Sequence, residues 1–246
     1  MEDNIRVVLV GTQHPGNIGS AARAMKTMGL ERLALVAPER FPDPQAYALA
    51  AGAADLIDRA EIFPSLAAAV ADCRTVIATT ARQRTVPMPG LAPREGARHA
   101  REATALGPVA LVFGRERTGL ENEELQLCHA AIHIPANPDY SSLNLAAAVQ
   151  IVAYEWRLAG LDTAPAAPAM SADIEPPATH AEMEGFFAHL FELLDQLEFH
   201  KGKDPAMVRQ RLRRLFLRAQ PDARELRILR GIFSDTQRLL RAKPQG

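Results

Sequence analysis

The chain begins with a near-continuous apolar run over residues 5–11, the pattern of a strand covered on both faces. Short β-rich runs then alternate with helical patterns. Residues 20–28 predict a helix closed by Gly29, 33–37 a second strand, and 45–51 a short alanine-rich helix. A small strand over 61–63 precedes a helix over 65–71, and 75–79 is again strand-like. A proline-containing loop from Thr80 to Pro93 leads to a helix over 94–105 and a strand over 109–113. Thr118 and Glu121 have capping-box spacing, which predicts a helix from about Gly119. A last short strand, 131–135, and a loop over 136–142 lead to residues 143–158. These are apolar almost all round and predict a buried helix. Strands alternating with helices predict an α/β domain with a parallel, helix-covered sheet.

After residue 160 the pattern changes. Ala, Pro, Asp and Thr dominate up to Pro177, as in a linker. Beyond it, Thr179 and Glu182 form a second capping box. The helix they open would turn Met183, Phe186, Phe187, Leu190, Leu194 and Leu197 inward. Pro205 suits the first turn of a further helix with Val208, Leu212, Leu215 and Phe216 on one face, and Asp222 caps a last one with Leu226, Leu229 and Phe233. The organisation expected is a domain over 1–160, a linker over 161–178 and a small all-helical module over 179–246.

A length of 246 residues with 48% hydrophobic positions supplies ample core and excludes wholesale disorder. No apolar stretch approaches the ~20 residues of a membrane span, and the acidic start is not a secretory signal. Cys73 and Cys128, the only cysteines, form no CxxC pair, which argues against a disulfide framework or zinc ribbon. Cys128, His129 and His133 lack a second cluster to complete a metal site. A cytoplasmic protein without membrane or metal partner is expected. The net charge of −1 conceals an asymmetry. From His200 to Gly246 there are 13 lysines and arginines against 4 acidic residues, while the rest carries 15 against 25. A polyanion-binding tail on an acidic body is one reading, and solvated helix faces are the other.

Three segments lie on loops after strands, where ligands of open α/β sheets bind. The first, from His14 to Gly29, reads HPGNIGSAARAMKTMG. It lacks the Lys-Ser/Thr of a P-loop and the Gly-x-Gly of a dinucleotide turn, which leaves a nicotinamide oxidoreductase remote. Asn17, Ser20 and Arg23 at a helix start either grip a phosphate or ribose hydroxyl, or simply cap the helix. The second, from Leu111 to Leu120, reads LVFGRERTGL; the third, from Asn137 to Ala146, reads NPDYSSLNLA. By spacing alone Glu116, Ser142 and Asn144 are equally well functional groups or caps.

Together the three segments resemble the three motifs of the SPOUT RNA ribose methyltransferases. The basic tail, in LRRLFLRAQP (212–221) and ELRILRG (225–231), is similar to that of the bacterial group acting on nucleotide 32 of the tRNA anticodon loop. The resemblance implies a parallel sheet with a C-terminal trefoil knot, bound S-adenosylmethionine, tRNA as partner, and a homodimer with sites at the subunit interface. It implies cofactor loops at Thr79, Thr80 and Ala81, at Gly114 and Glu116, and at Ile134, Ser141, Ser142 and Leu143. It makes Arg23 catalytic beside the partner subunit's cofactor, with Asn17, Ser142 and Asn144 as the family's polar positions. Arg82 and Arg84, with Arg209, Arg213 and Arg214 in the tail, become candidate RNA contacts. Methylation of another tRNA position or of ribosomal RNA, or a non-catalytic RNA-binding protein on the same scaffold, are the alternatives.

Overall fold

The computed structural model describes residues 4–81, 88–161, 175–201 and 204–242. The chain divides into two compact units, residues 1–169 and 170–246.

In the first unit the strands are β1 (Ile5–Val10), β2 (Arg32–Val36), β3 (Glu61–Phe63), β4 (Thr75–Thr80), β5 (Gly90–Leu91), β6 (Val109–Phe113) and β7 (Ala130–His133). They form one sheet in the order β3-β2-β1-β6-β4-β7-β5, parallel throughout. The helices are α1 (Pro15–Thr27), α2 (Pro44–Ala50), α3 (Ala54–Asp58), α4 (Leu66–Ala69), α5 (Pro93–Ala103), α6 (Asn122–Leu125) and α7 (Leu145–Leu161). All six residues of β1 are buried, as its near-continuous apolar run requires. Alternate strand residues enter separate cores: Ile5, Val7 and Leu9 pack with α1 and α7, and Val8 and Val10 with α4. Arg6 is buried in β1, where its guanidinium donates to the Asp72 carboxylate and the Ala69 carbonyl.

Several elements depart from expectation. α1 starts at Pro15 rather than at residue 20. Proline is pre-set for a first turn and has no N–H to leave unpaired, while the N–H groups of Gln13 and His14 are met by the distant Glu116. Gly16 and Gly19 are therefore helical. A Cβ on Gly19 would lie 1.9 Å from the Ala46 carbonyl oxygen, so this glycine lets α1 and α2 touch backbone to backbone. α6 starts at Asn122, with Glu124 reaching back to the Glu121 N–H at 2.7 Å. The expected start near Gly119 is replaced by a turn in which Gly119 has a φ of +70°. The elements α3 and β5 carry too few residues for periodicity to announce them. Within the chain α7 is buried along one face, Leu145, Val149, Val152, Ala153 and Trp156, while Tyr154 and Leu161 are exposed. The all-round burial that its composition predicts is not completed by this chain alone.

The second unit holds α8 (His180–Gln196), α9 (Pro205–Ala219) and α10 (Ala223–Ala242). Thr179 and Asp222 accept from first-turn N–H groups of their helices, as the sequence predicts, and Asp204, which the sequence reading did not single out, does the same for α9. Phe186 is the centre of the core, with ring centroids of Phe216, Phe187 and Phe233 at 4.7, 5.4 and 5.6 Å. Leu193 and Leu217 are buried, whereas Leu197 and Leu215, expected inward, are exposed. Leu197 lies just past the end of α8, where the helical period no longer directs it. Among the described residues no helix is long and apolar enough to cross a membrane.

Gly19→Ala forces α1 and α2 apart and should lower the urea midpoint by the equivalent of roughly 1–3 kcal/mol. An unchanged midpoint would show that the two helices are not held at this separation. Burial pushes the Cys73 and Cys128 thiols up to about 12. A thiol-reactive dye should therefore label neither cysteine in the native protein and both after denaturation.

Candidate active site

The carboxyl ends of the adjacent strands β6, β4 and β7 open into a cavity of about 350 Å³. Thr79 and Thr80 from the end of β4, with Ala81 beyond it, form one wall, and Gly114 and Glu116 after β6 another. Ile134 follows β7, and Ser141, Ser142 and Leu143 approach the start of α7. All nine residues that the resemblance assigns to cofactor loops thus line one cavity. Phe113, Leu120, Leu125, Leu145 and Ala148 add apolar surface that the sequence did not single out. The Thr79 hydroxyl oxygen is buried here without a hydrogen-bond partner among the described residues. An unpartnered hydroxyl at a cavity of mixed polar and apolar lining is a group that a ligand can engage.

The loop after β6 is rigid for traceable reasons. Arg115 and Gly119 exchange backbone hydrogen bonds of 3.2 and 2.9 Å, which closes a tight turn. A Cβ on Gly114 would stand 2.3 Å from backbone atoms of Gly119 and Leu120, so only glycine allows this close crossing. The Arg115 guanidinium makes a two-pronged pair with Glu124 at 2.9 and 3.0 Å. The backbone at Gly11, in the left-handed region with φ +57°, passes close beneath the same guanidinium.

Glu116 ties this loop to the first motif. Its carboxylate accepts from the Asn17 amide at 2.8 Å and from the N–H groups of Gln13 and His14 at 3.0 and 3.1 Å. Partial burial acts to raise its pKa, but these hydrogen bonds together outweigh it and hold the group below the ordinary glutamate range. The Asn144 side-chain amide then donates to the Asn17 side-chain Oδ1 at 3.0 Å, while its own Oδ1 accepts from the Ala146 and Ala147 N–H groups. Capping and tertiary linkage, left even by spacing, are both its roles. The chain Asn144–Asn17–Glu116 thereby joins all three motifs.

Arg23 is placed differently. It is exposed on α1, does not line the cavity, and has no partner among the described residues. Arg82 and Arg84 lie outside the described residues. In the tail, Arg213 is bidentate to Glu184 and stacks 4.5 Å over Phe187. Arg209 pairs with Asp195 and lies 5.4 Å over Phe191. These two arginines help hold the helical module together, and Arg214 is exposed. His129 and His133 are likewise engaged with the backbone: Val76 N–H donates to His129, and the His133 ring meets the Thr80 carbonyl.

Residues 4–154 match the model of the SpoU rRNA methylase family. The chain belongs to that family. Its residues 181–245 match a second model, described as the C-terminal domain of the tRNA methyltransferase TrmJ. Among curated relatives, the tRNA (cytidine/uridine-2′-O-)-methyltransferase TrmJ of Pectobacterium atrosepticum is 54% identical, over 97% of this chain and 98% of the relative. The Salmonella typhimurium protein of the same name is 51% identical over 99% of this chain and 100% of the relative. Among solved structures, TrmJ from Z. mobilis ZM4 is 39% identical, with a TM-score of 0.81 over 94% of this chain and 98% of that one. A probable methylase family protein from Haemophilus influenzae is 44% identical, with a TM-score of 0.62 over 98% and 99%. The SpoU-family parallel sheet and the helical C-terminal region described above are thus those of proteins similar across nearly the whole chain.

Because Glu116 is held ionised, its contribution to stability is complete above the ordinary glutamate pKa of about 4.3 and is lost as pH falls through its lower folded value. Glu116→Gln should therefore be less stable than the parent at pH 7, with the gap narrowing in acid. Urea midpoints across that range test it, and a gap independent of pH would refute the charge-based account.

Proposed function

We propose that the chain transfers a methyl group from S-adenosylmethionine to the ribose 2′-oxygen of a pyrimidine at nucleotide 32 of tRNA. The observation that carries this is the convergence of the three motif loops on one cavity, in a chain similar end to end to named tRNA 2′-O-methyltransferases. The cavity falls within the ordinary range for small-ligand sites, and its mixed apolar and polar lining, with the unpartnered Thr79 hydroxyl, suits a nucleoside that has both kinds of surface. Thr79, Thr80, Ala81, Gly114, Glu116, Ile134, Ser141, Ser142 and Leu143 would hold the cofactor. When bound, it supplies an electrophilic methyl group on a sulfonium.

The protein's own task is then to present the 2′-oxygen in line and manage its proton. A guanidinium carries only donors and stays charged at any working pH. Arg23 accordingly stabilises the oxygen as negative charge develops, and a phosphate oxygen or water takes the proton. Since Arg23 stands outside the cavity of its own chain, the reading requires a homodimer in which a second copy brings Arg23 to the reacting ribose. The open flank of α7 and the exposed third motif, with Tyr140 80% accessible, support such pairing. An enzyme of this substrate works in the cytoplasm.

A solved structure titled for 2-OH methylation of C/U34 on tRNA offers a second target. It is 29% identical with a TM-score of 0.50, and 97% of it is matched by 63% of this chain. The match to the TrmJ C-terminal model, beyond that shared core, supports membership of the group that the basic tail resembles, and nucleotide 32 is what that resemblance implies.

Labelled methyl transfer to unmodified tRNA, with the product nucleotide mapped, tests the reading. Modification at nucleotide 32 is expected, and label at 34 or none would overturn the assignment. Arg23→Ala should reduce transfer by about 10²–10³-fold, with cofactor affinity little changed. In Arg23→Lys, activity that recovers at high pH with a lysine-like ionisation would instead make this residue the base.

A further inference from the structure

Of the charged side chains lining the cavity among the described residues, two are already engaged. Arg115 is clasped by Glu124, and Glu116 accepts three hydrogen bonds. The third, Arg117, is exposed at the apex of the loop between them and has no partner among the described residues. Its placement is not that of a loose surface arginine. The backbone pair between Arg115 and Gly119 closes the turn beneath it, and both side chains preceding it are pinned. The turn that carries this cation to the rim of the cavity is therefore preorganised, and the Glu116 and Glu124 carboxylates already have hydrogen-bond partners of their own.

We infer that Arg117 binds a tRNA backbone phosphate beside the ribose being methylated. The inference rests on the methyltransferase reading above and adds a substrate contact to it. The chemistry follows from the structure of RNA. The 3′-oxygen of a ribose is bonded to the carbon adjacent to that bearing the 2′-oxygen, and it carries a phosphate. A 2′-oxygen at the cavity mouth thus brings an anion to the same rim. A guanidinium offers five donors in a planar fork suited to phosphate oxygens. The carboxylate of the cofactor is the other anion within reach, but a cation serving a group inside the cavity would be covered by its walls, and Arg117 faces solvent. Loss of a single phosphate contact weakens binding and reduces its salt dependence by roughly one unit of slope, with about 0.7–0.9 per phosphate as the guide.

The test compares the parent, Arg117→Ala and Arg117→Lys, using unmodified tRNA transcript and S-adenosylmethionine as probes. In Arg117→Ala the KM for tRNA should rise about tenfold, with the slope of log affinity against log salt shallower by about 0.7–0.9 and the cofactor Kd unmoved. Arg117→Lys should restore the slope, since it returns the charge, but only part of the affinity, since it lacks the fork. A weakened cofactor Kd with tRNA KM unchanged would overturn the inference in favour of the cofactor carboxylate. No change in either would leave Arg117 a solvated charge and also overturn it. If the parent itself fails to methylate tRNA, the functional reading falls first and this inference with it; a parent that works beside an unaltered variant refutes the Arg117 contact alone.

Discussion

The carboxylate of Glu116 is the constraint on which the candidate site depends. It stands on the loop after β6 yet satisfies the N–H groups of Gln13 and His14 and holds the Asn17 amide. Through Asn17 it reaches Asn144 at the start of α7. Two loops that stand 99 and 127 residues beyond the first are thereby fixed to it by charge-assisted and amide hydrogen bonds. Such contacts stabilise mainly because their absence would leave several donors unmatched in a partly covered place. One acid thus sets both the entry of α1, which carries Arg23, and the shape of the cavity wall.

Around that tie the chain uses glycine where backbone must approach backbone. Gly114 lies against the far side of its own turn, and Gly19 against the carbonyl of Ala46. Elsewhere the sheet is conventional in its physics, with largely apolar central strands shielded on both faces and the short edge strands β3 and β5 partly exposed. The result is a stiff edge from which short loops project their polar groups at known places.

The helical module shows why charge counts understate structure. Its aromatic core is small, and Arg209 and Arg213 extend it by lying over Phe191 and Phe187 while pairing with acids of α8. These guanidinium groups contribute packing as well as charge. The module's excess of positive charge therefore divides into an internal share and an outward one, which includes Arg211, Arg214 and Arg218.

Pattern, capping residues and charge in the sequence determined the alternating strands and helices, the capping box at Thr179, the cap at Asp222, and the chemical character of the two parts of the chain. Motif content determined which loops meet at the cavity, because those residues stand at strand ends, and strand ends converge in a parallel sheet. The start of α1 was not legible, since its donors are satisfied by an acid far along the chain. Nor was that of α6, where a left-handed Gly119 diverts a plausible capping signal into a turn. Leu197 and Leu215 show the same limit in the tail, because helical period gives a face but not where the helix ends or which neighbour covers it. The tertiary structure alone decided that Arg209 and Arg213 are engaged within the module and that Arg23 stands apart from the cavity. Local sequence fixes conformational preference and charge; which partner satisfies each group depends on contacts between distant segments, and those exist only once the chain has folded.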